Sequence, residues 1–179
     1  MRQILLIVLT LLSAFPAFSQ SREGVRKSTD VLCLVPAAAA VTATLVQKDY
    51  KGLGQFALGE GAALATNYLL ELCIRKERPD CSGHHAFPST HTAVAFAAST
   101  YIGRRYGWKW SIPAYLVSAY VGFGRVYAKK HDTWDVLAGA AIGVGAGYFL
   151  TRKHKKNVTM AFSPYSLDGN TGVTFSAVF

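Results

Sequence analysis

Apolar residues gather in five runs, at about residues 30–47, 52–74, 90–106, 110–127 and 133–151, with short polar or basic stretches between them. Glycine, proline or a polar residue interrupts several runs, and most lie near the shortest length that crosses a bilayer. The pattern predicts an all-α fold, a helical membrane bundle of about five helices. The last run carries Gly139, Gly143 and Gly147 at four-residue spacing, which lets a neighbouring backbone come close along one face. Glu60 falls in the middle of the second run. There a carboxyl must face the bundle and find a partner, as a hydrogen-bond anchor or as a functional group.

The two ends of the chain break this pattern. Residues 1–20 combine one arginine, a short apolar stretch and small residues, the layout of a signal peptide; the alternative is an uncleaved first membrane helix. The helical domain then occupies 24–156. Over 157–179, apolar and polar residues alternate on either side of Asp168-Gly169-Asn170. That predicts a short C-terminal β-hairpin-like tail, or a terminal segment that packs elsewhere.

A chain of 179 residues has room for one domain; 51% of it is hydrophobic, yet its formal charge is +9. The basic residues cluster between apolar runs instead of forming one stripe, which argues against a nucleic-acid partner. If every run crosses once, Lys48 and Lys51, then Arg104, Arg105 and Lys109, then Arg152, Lys153, Lys155 and Lys156 fall on one side. The positive-inside tendency makes that side cytoplasmic. The stretches holding Arg78 to His91 and Arg125 to His131 then share the opposite side. The basic residues there, among them Arg75, Lys76, Lys129 and Lys130, either anchor the interface or draw an anionic headgroup.

Those two stretches carry the candidate chemistry. His131 and Asp135 stand four residues apart at the mouth of the last helix. A carboxylate there can accept from one imidazole nitrogen and leave the other as nucleophile or base. Upstream stand Arg78-Pro79 and Pro88-Ser89-Thr90-His91. A planar guanidinium can grip two phosphate oxygens, and backbone N–H groups around Ser89 and Thr90, at a helix start, add donors. His84, His85, His91 and His131 match no compact ligand spacing, so no metal is expected.

Taken together, Arg78-Pro79, Pro88-Ser89-Thr90-His91 and Gly124-Arg125 with His131 and Asp135 resemble, in order and spacing, a known three-part signature. It is that of the type-2 phosphatidic acid phosphatase superfamily: Lys-x6-Arg-Pro, Pro-Ser-Gly-His and Ser-Arg-x5-His-x3-Asp. The signature spans about residues 71–135, and the family's helices would extend it to about 30–151. The resemblance implies a membrane lipid phosphatase with neither metal nor cofactor, its site on the non-cytoplasmic face of a bacterial inner membrane. His131 would form a phosphohistidine, supported by Asp135. His91, whose imidazole titrates near neutral pH, would protonate the leaving oxygen and later activate water. Arg78, Arg125, Ser89 and Thr90 would hold the phosphate. The implied substrates are anionic lipid phosphates: undecaprenyl pyrophosphate, phosphatidate or phosphatidylglycerophosphate, or the phosphates of lipid A. A headgroup-binding membrane protein without activity and an exported soluble phosphatase are the rival expectations.

Three positions depart from the signature: Gly124 replaces serine, Thr90 replaces glycine and Glu71 replaces lysine. Thr90 keeps its N–H, but its branched side chain restricts the turn and can crowd the phosphate. Glu71 opposes an anionic substrate unless Arg75 or Lys76, i+4 and i+5 from it, pairs with it or takes the lysine's place. Cys33 reads as a small core residue, and Cys73 and Cys81 flank the Arg78 loop, where an oxidising compartment would allow a disulfide although their separation says nothing about geometry.

Overall fold

The computed structural model describes residues 21–154, 159–167 and 170–178. The expected signal segment, and Asp168 and Gly169 of the expected turn, lie outside the described residues. The elements are α1 (Arg22–Leu32), α2 (Val35–Val46), α3 (Tyr50–Cys73), α4 (Thr90–Tyr106), α5 (Trp108–Tyr127), α6 (Thr133–Phe149), β1 (Thr159–Leu167) and β2 (Asn170–Val178). The five apolar runs correspond to α2–α6, and the tail is the antiparallel pair expected of it, with Leu167 opposite Asn170 and Phe162 opposite Phe175.

Helix α1 is an addition to the expected bundle, formed by a polar stretch. Ser21 caps it by accepting from the Gly24 N–H at 3.1 Å. Glu23, Arg26, Lys27 and Asp30 are joined along it by i,i+3 and i,i+4 ion pairs. Its inner face buries Ser28 and Thr29 against α5. The approach is close because Gly124 has no side chain: a Cβ there would lie 2.4 Å from Thr29 Cγ2. A turn at Cys33 and Leu34 leads into α2, where Pro36 suits the first helical turn. Among the described residues, Arg22–Val46 is the one helical segment both long and apolar enough to cross a membrane.

Helix α4 is the centre of the bundle, lined by buried Ala93, Ala95, Ala97 and Ala98. Its closest neighbour is α6, for the reason the glycine spacing predicts. A Cβ at Gly139 would meet Ser89 O at 2.4 Å, one at Gly143 would meet Ala93 O at 2.2 Å, and one at Gly147 would meet Ala97 O at 2.7 Å. Hydroxyl pairs join α4 to α5, with Ser99 and Ser118 at 2.9 Å and Thr100 and Tyr115 at 2.8 Å. Glu60 departs from expectation: its Oε1 is buried with no hydrogen-bond partner among the described residues.

One end of the bundle is fastened by Asp49 and Arg105, both buried. Arg105 donates to Asp49 through Nε and Nη2, each at 2.6 Å, and through Nη1 to the Arg152 carbonyl at 2.7 Å. These bonds from Arg105 are the main reason the Asp49 carboxyl is pulled down to about 2. The α2–α3 turn, the end of α4 and the segment after α6 therefore meet at one end, as the three basic clusters predict. The loops joining α3 to α4 and α5 to α6 meet at the other.

Candidate active site

The site is assembled from the start of α4, the end of α5, the start of α6 and the loop over residues 74–89. The glycine face of α6 sets the first relationship, bringing the Ser89 N–H to the Asp135 carbonyl at 3.0 Å. His91 follows in the first turn of α4. Arg125, four residues after Val121 on the buried face of α5, is itself buried, and its Nε has no hydrogen-bond partner among the described residues. The short α5–α6 loop then returns His131 over Arg125, with the His131 N–H 3.3 Å from the Arg125 carbonyl.

His131 is buried, and its Nδ1 lies 2.7 Å from the Ala86 carbonyl oxygen. The expected contact with Asp135 is not formed as a hydrogen bond, the nearest carboxylate oxygen being 3.9 Å away. Asp135 is committed elsewhere. It accepts from the Asp132 N–H at 2.9 Å, completing a reciprocal cap at the start of α6, and from Lys76 Nζ at 2.6 Å. Lys76 also donates to Asp132. Burial works against the Lys76 charge, but its bonds to the two aspartates outweigh that and hold its pKa above the usual lysine value. Burial has the largest influence on His131, pushing its pKa down to about 4. The charges of Arg125 and Arg78 act in the same direction, and the Ala86 carbonyl and Asp135 act against it.

The loop residues find partners that the sequence does not announce. Arg78 is bound into its loop, its N–H donating to the Gly83 carbonyl at 2.8 Å, while its charge reaches His131. Asp80 pairs with Lys130 at 2.5 Å and ties this loop to the α5–α6 loop. Glu71 pairs with neither Arg75 nor Lys76 but stands 3.7 Å from His85 Nδ1, because Lys76 is already held by Asp132 and Asp135. Both Cys73 and Cys81 are free thiols.

Ser89 and Thr90 differ from their expected use. The Ser89 N–H is spent on Asp135, and its hydroxyl pairs with Thr92 at 3.0 Å, so it frames the turn. Thr90 turns its hydroxyl to Asn67 of α3, accepting from Nδ2 at 2.9 Å, which explains how a branched residue is accommodated there. The first-turn N–H groups of Thr90 and His91 have no intrahelical acceptor. Asp30 was not foreseen as part of the site. Its Oδ1 lies 2.5 Å from Arg125 Nη1 and 3.3 Å from His91 Nε2. Of the unforeseen residues, Asp132 alone had a local signal, an Asp-x-x-Asp pair opening an apolar run.

Two arginines, two histidines and the start of α4 thus gather at one end of the bundle. The chain belongs to the PAP2 superfamily, whose profile matches residues 56–159. It is therefore a phosphatase of the PAP2 type, and its relatives act on lipids. The lipid A 4′-phosphatase of Helicobacter pylori (strain J99) is 30% identical over 162 residues, covering 82% of this chain and 81% of that protein. The lipid A 1-phosphatase of Porphyromonas gingivalis is 38% identical over 73 residues, which cover 39% of this chain but 16% of that longer protein. The crystal structure of Aquifex aeolicus LpxE shares the fold, with a TM-score of 0.57 at 19% identity, over 68% of this chain and 82% of that one.

Proposed function

We propose that this protein is a membrane-embedded lipid A phosphatase that removes a phosphate monoester, the 4′ phosphate being favoured by the relative that matches most of the chain. The observation that carries the reading is Arg125. A buried guanidinium whose Nε has no partner among the described residues, flanked by two histidines and by the Arg78 charge, is suited to a phosphate dianion.

His131 is the nucleophile in this reading. The Ala86 carbonyl can only accept, so Nδ1 carries the proton and Nε2 keeps the lone pair. A pKa near 4 keeps the ring neutral at pH 7. Nε2 attacks phosphorus, the bond from phosphorus to the sugar oxygen breaks, and His91 gives that oxygen its proton. Water then attacks the phosphohistidine, passing a proton to His91 as the P–N bond breaks, and inorganic phosphate leaves. Arg78, Arg125 and the free N–H groups of Thr90 and His91 neutralise the equatorial oxygens throughout. Asp135 acts one step removed, fixing the α6 cap and Lys76. Among the described residues no group of three His, Cys, Asp or Glu side chains is placed to hold a metal ion, and the steps above use none.

A membrane setting accounts for the outer surface. Leu58, Leu69, Leu116, Phe123, Leu137 and Phe149 are all exposed, on three different helices. The basic end around Arg105 faces the cytoplasm in this reading, and the site faces the periplasm. The test is phosphate release by the full chain in detergent, with chelator present, from lipid A, undecaprenyl pyrophosphate and phosphatidate. Release from lipid A, lost in His131→Ala, supports the proposal. Silence on all three would leave a headgroup-binding protein, and preference for another lipid would move the substrate class.

A further inference from the structure

We propose that Asp30 is an internal anion that holds Arg125 and His91 while the site is empty and passes to Arg26 when a phosphate arrives. The inference rests on the phosphatase reading of this site. One oxygen, Oδ1, bridges Arg125 Nη1 at 2.5 Å and His91 Nε2 at 3.3 Å. These are the two groups that the reaction gives to a phosphate oxygen and to the leaving oxygen. The carboxylate therefore stands where the substrate's oxygens must go.

The structure also supplies the second position. The other oxygen, Oδ2, already lies 3.7 Å from Arg26 Nη1, one helical turn back on α1. The Asp30 side chain is 38% exposed and that of Arg125 only 5%, so the carboxylate is the partner free to move. Arg125 needs an anion in either state, because a buried guanidinium without one is strongly disfavoured. Two anions on it at once repel each other. Asp30 and phosphate are thus alternatives, and the occupancy of the first lowers the apparent affinity for the second.

Asp30 reaches the site because α1 docks where the third signature motif departs from its family pattern. With serine in place of Gly124, Thr29 could not sit where it does, its Cγ2 being 2.4 Å from the position of such a Cβ. The family match begins at residue 56, well beyond α1. The glycine and the carboxylate read as two parts of one device.

Binding of inorganic phosphate to the full-length protein in detergent, followed by calorimetry, tests this directly. Asp30→Asn, close to isosteric, is expected to tighten phosphate binding about tenfold by removing the competitor. Arg26→Gln is expected to weaken it severalfold, because the displaced carboxylate loses its resting place. The double variant should bind like Asp30→Asn, since Arg26 matters only through Asp30. Unchanged or weaker binding in Asp30→Asn overturns the proposal, as does a double variant in which the two effects simply add. So does a fall in kcat confined to poor leaving groups at unchanged phosphate affinity, which would make Asp30 a support for His91. Should Asp30→Asn fail to fold, Arg26→Gln alone decides, and unchanged binding in it overturns the idea. Lipid A hydrolysis by the wild type separates the two levels. Hydrolysis with no response to either variant sinks the role of Asp30 alone, whereas a wild type that neither binds phosphate nor hydrolyses lipid sinks the site reading and this inference together.

Discussion

The Nδ1 atom of His131 is 2.7 Å from the carbonyl oxygen of Ala86, and that bond, not one to Asp135, sets the tautomer of the ring. The loop over residues 74–89 therefore does more than present Arg78. Its backbone orients the His131 ring, the proposed nucleophile, from across the site. The role expected of Asp135 passes to a peptide carbonyl, which no side-chain substitution removes.

The consequence can be measured with two variants. His131→Ala should abolish both turnover and any acid-labile phosphoenzyme. Asp135→Asn keeps the Ala86 bond and should lower kcat on every substrate by much less than the ~10⁴-fold that a wrong tautomer costs in a Ser-His-Asp triad. It should also lower the melting temperature, because Lys76 loses a buried partner. Single-turnover kinetics on an aryl phosphate and on lipid A check this. A loss in Asp135→Asn as complete as that in His131→Ala would return tautomer control to Asp135.

His131 should titrate near pH 4, well below its ordinary 6.5. In the proposed mechanism the neutral ring is the competent form, so this residue should set no limit on activity until the pH falls through about 4. The sign for stability follows from the same shift. Between 6.5 and 4 the unfolded chain binds more protons at this position than the native one. The contribution is thus complete above 6.5 and declines as pH drops towards 4. NMR titration of the histidine ring nitrogens in detergent, assigned by loss of a signal in His131→Ala, reads the midpoint. A midpoint near 6.5 would show that the ring is hydrated.

How far the sequence could be read is clear from particular residues. The apolar runs predicted α2–α6 because continuous burial leaves a continuous apolar record. Gly139, Gly143 and Gly147 predicted the α4–α6 contact because only glycine permits that separation. The three basic clusters foretold which helix ends meet, and Arg105 joins them. Asp30 was not legible, and Lys76, singled out only as a stand-in for the lysine or a partner of Glu71, takes partners that were not legible either. Each acts on partners more than fifty residues away, Lys76 on Asp132 and Asp135, Asp30 on His91 and Arg125. Periodicity assigns a residue to a face and says nothing about which distant side chain it meets. The Ala86 carbonyl leaves no trace in the sequence, since every residue has one. Helix α1 was missed because its first two turns are polar, and its helicity comes from a cap and surface pairs.

Gly143 is the tightest point in that α4–α6 contact and offers a clean packing test. A Cβ there would lie 2.2 Å from Ala93 O and 2.9 Å from Ala97 N, both backbone atoms that cannot turn aside. Gly143→Ala should force the helices apart, destabilise the fold by about 1–3 kcal/mol and lower activity by moving α6 relative to His91. Gly145→Ala, where nothing lies within 4 Å, is the control and should be neutral or slightly stabilising. Thermal unfolding in detergent alongside specific activity checks both, and equal behaviour of the two variants would contradict the contact.

Glu71 stands where the family signature has lysine, and its surroundings now limit what it does. It lies one helical turn beyond Asn67, which touches Thr90 at the start of α4, so it belongs to the site-facing side of α3. Its partner is an exposed histidine 3.7 Å away, too weak a contact to commit the carboxylate. The expectation to be tested is that a negative charge on this side of α3 opposes the incoming phosphate. At the dielectric of a partly wet site, a unit charge a few ångströms away is worth on the order of a few kcal/mol. Glu71→Lys should then lower KM for lipid A severalfold with little change in kcat, and Glu71→Gln should fall between it and the wild type. Higher salt should shrink the difference, since screening acts on the charge and not on the fold. Steady-state kinetics at two ionic strengths decides the matter. A higher KM in both variants would mean that Glu71 supports the loop through His85 and does not oppose the substrate.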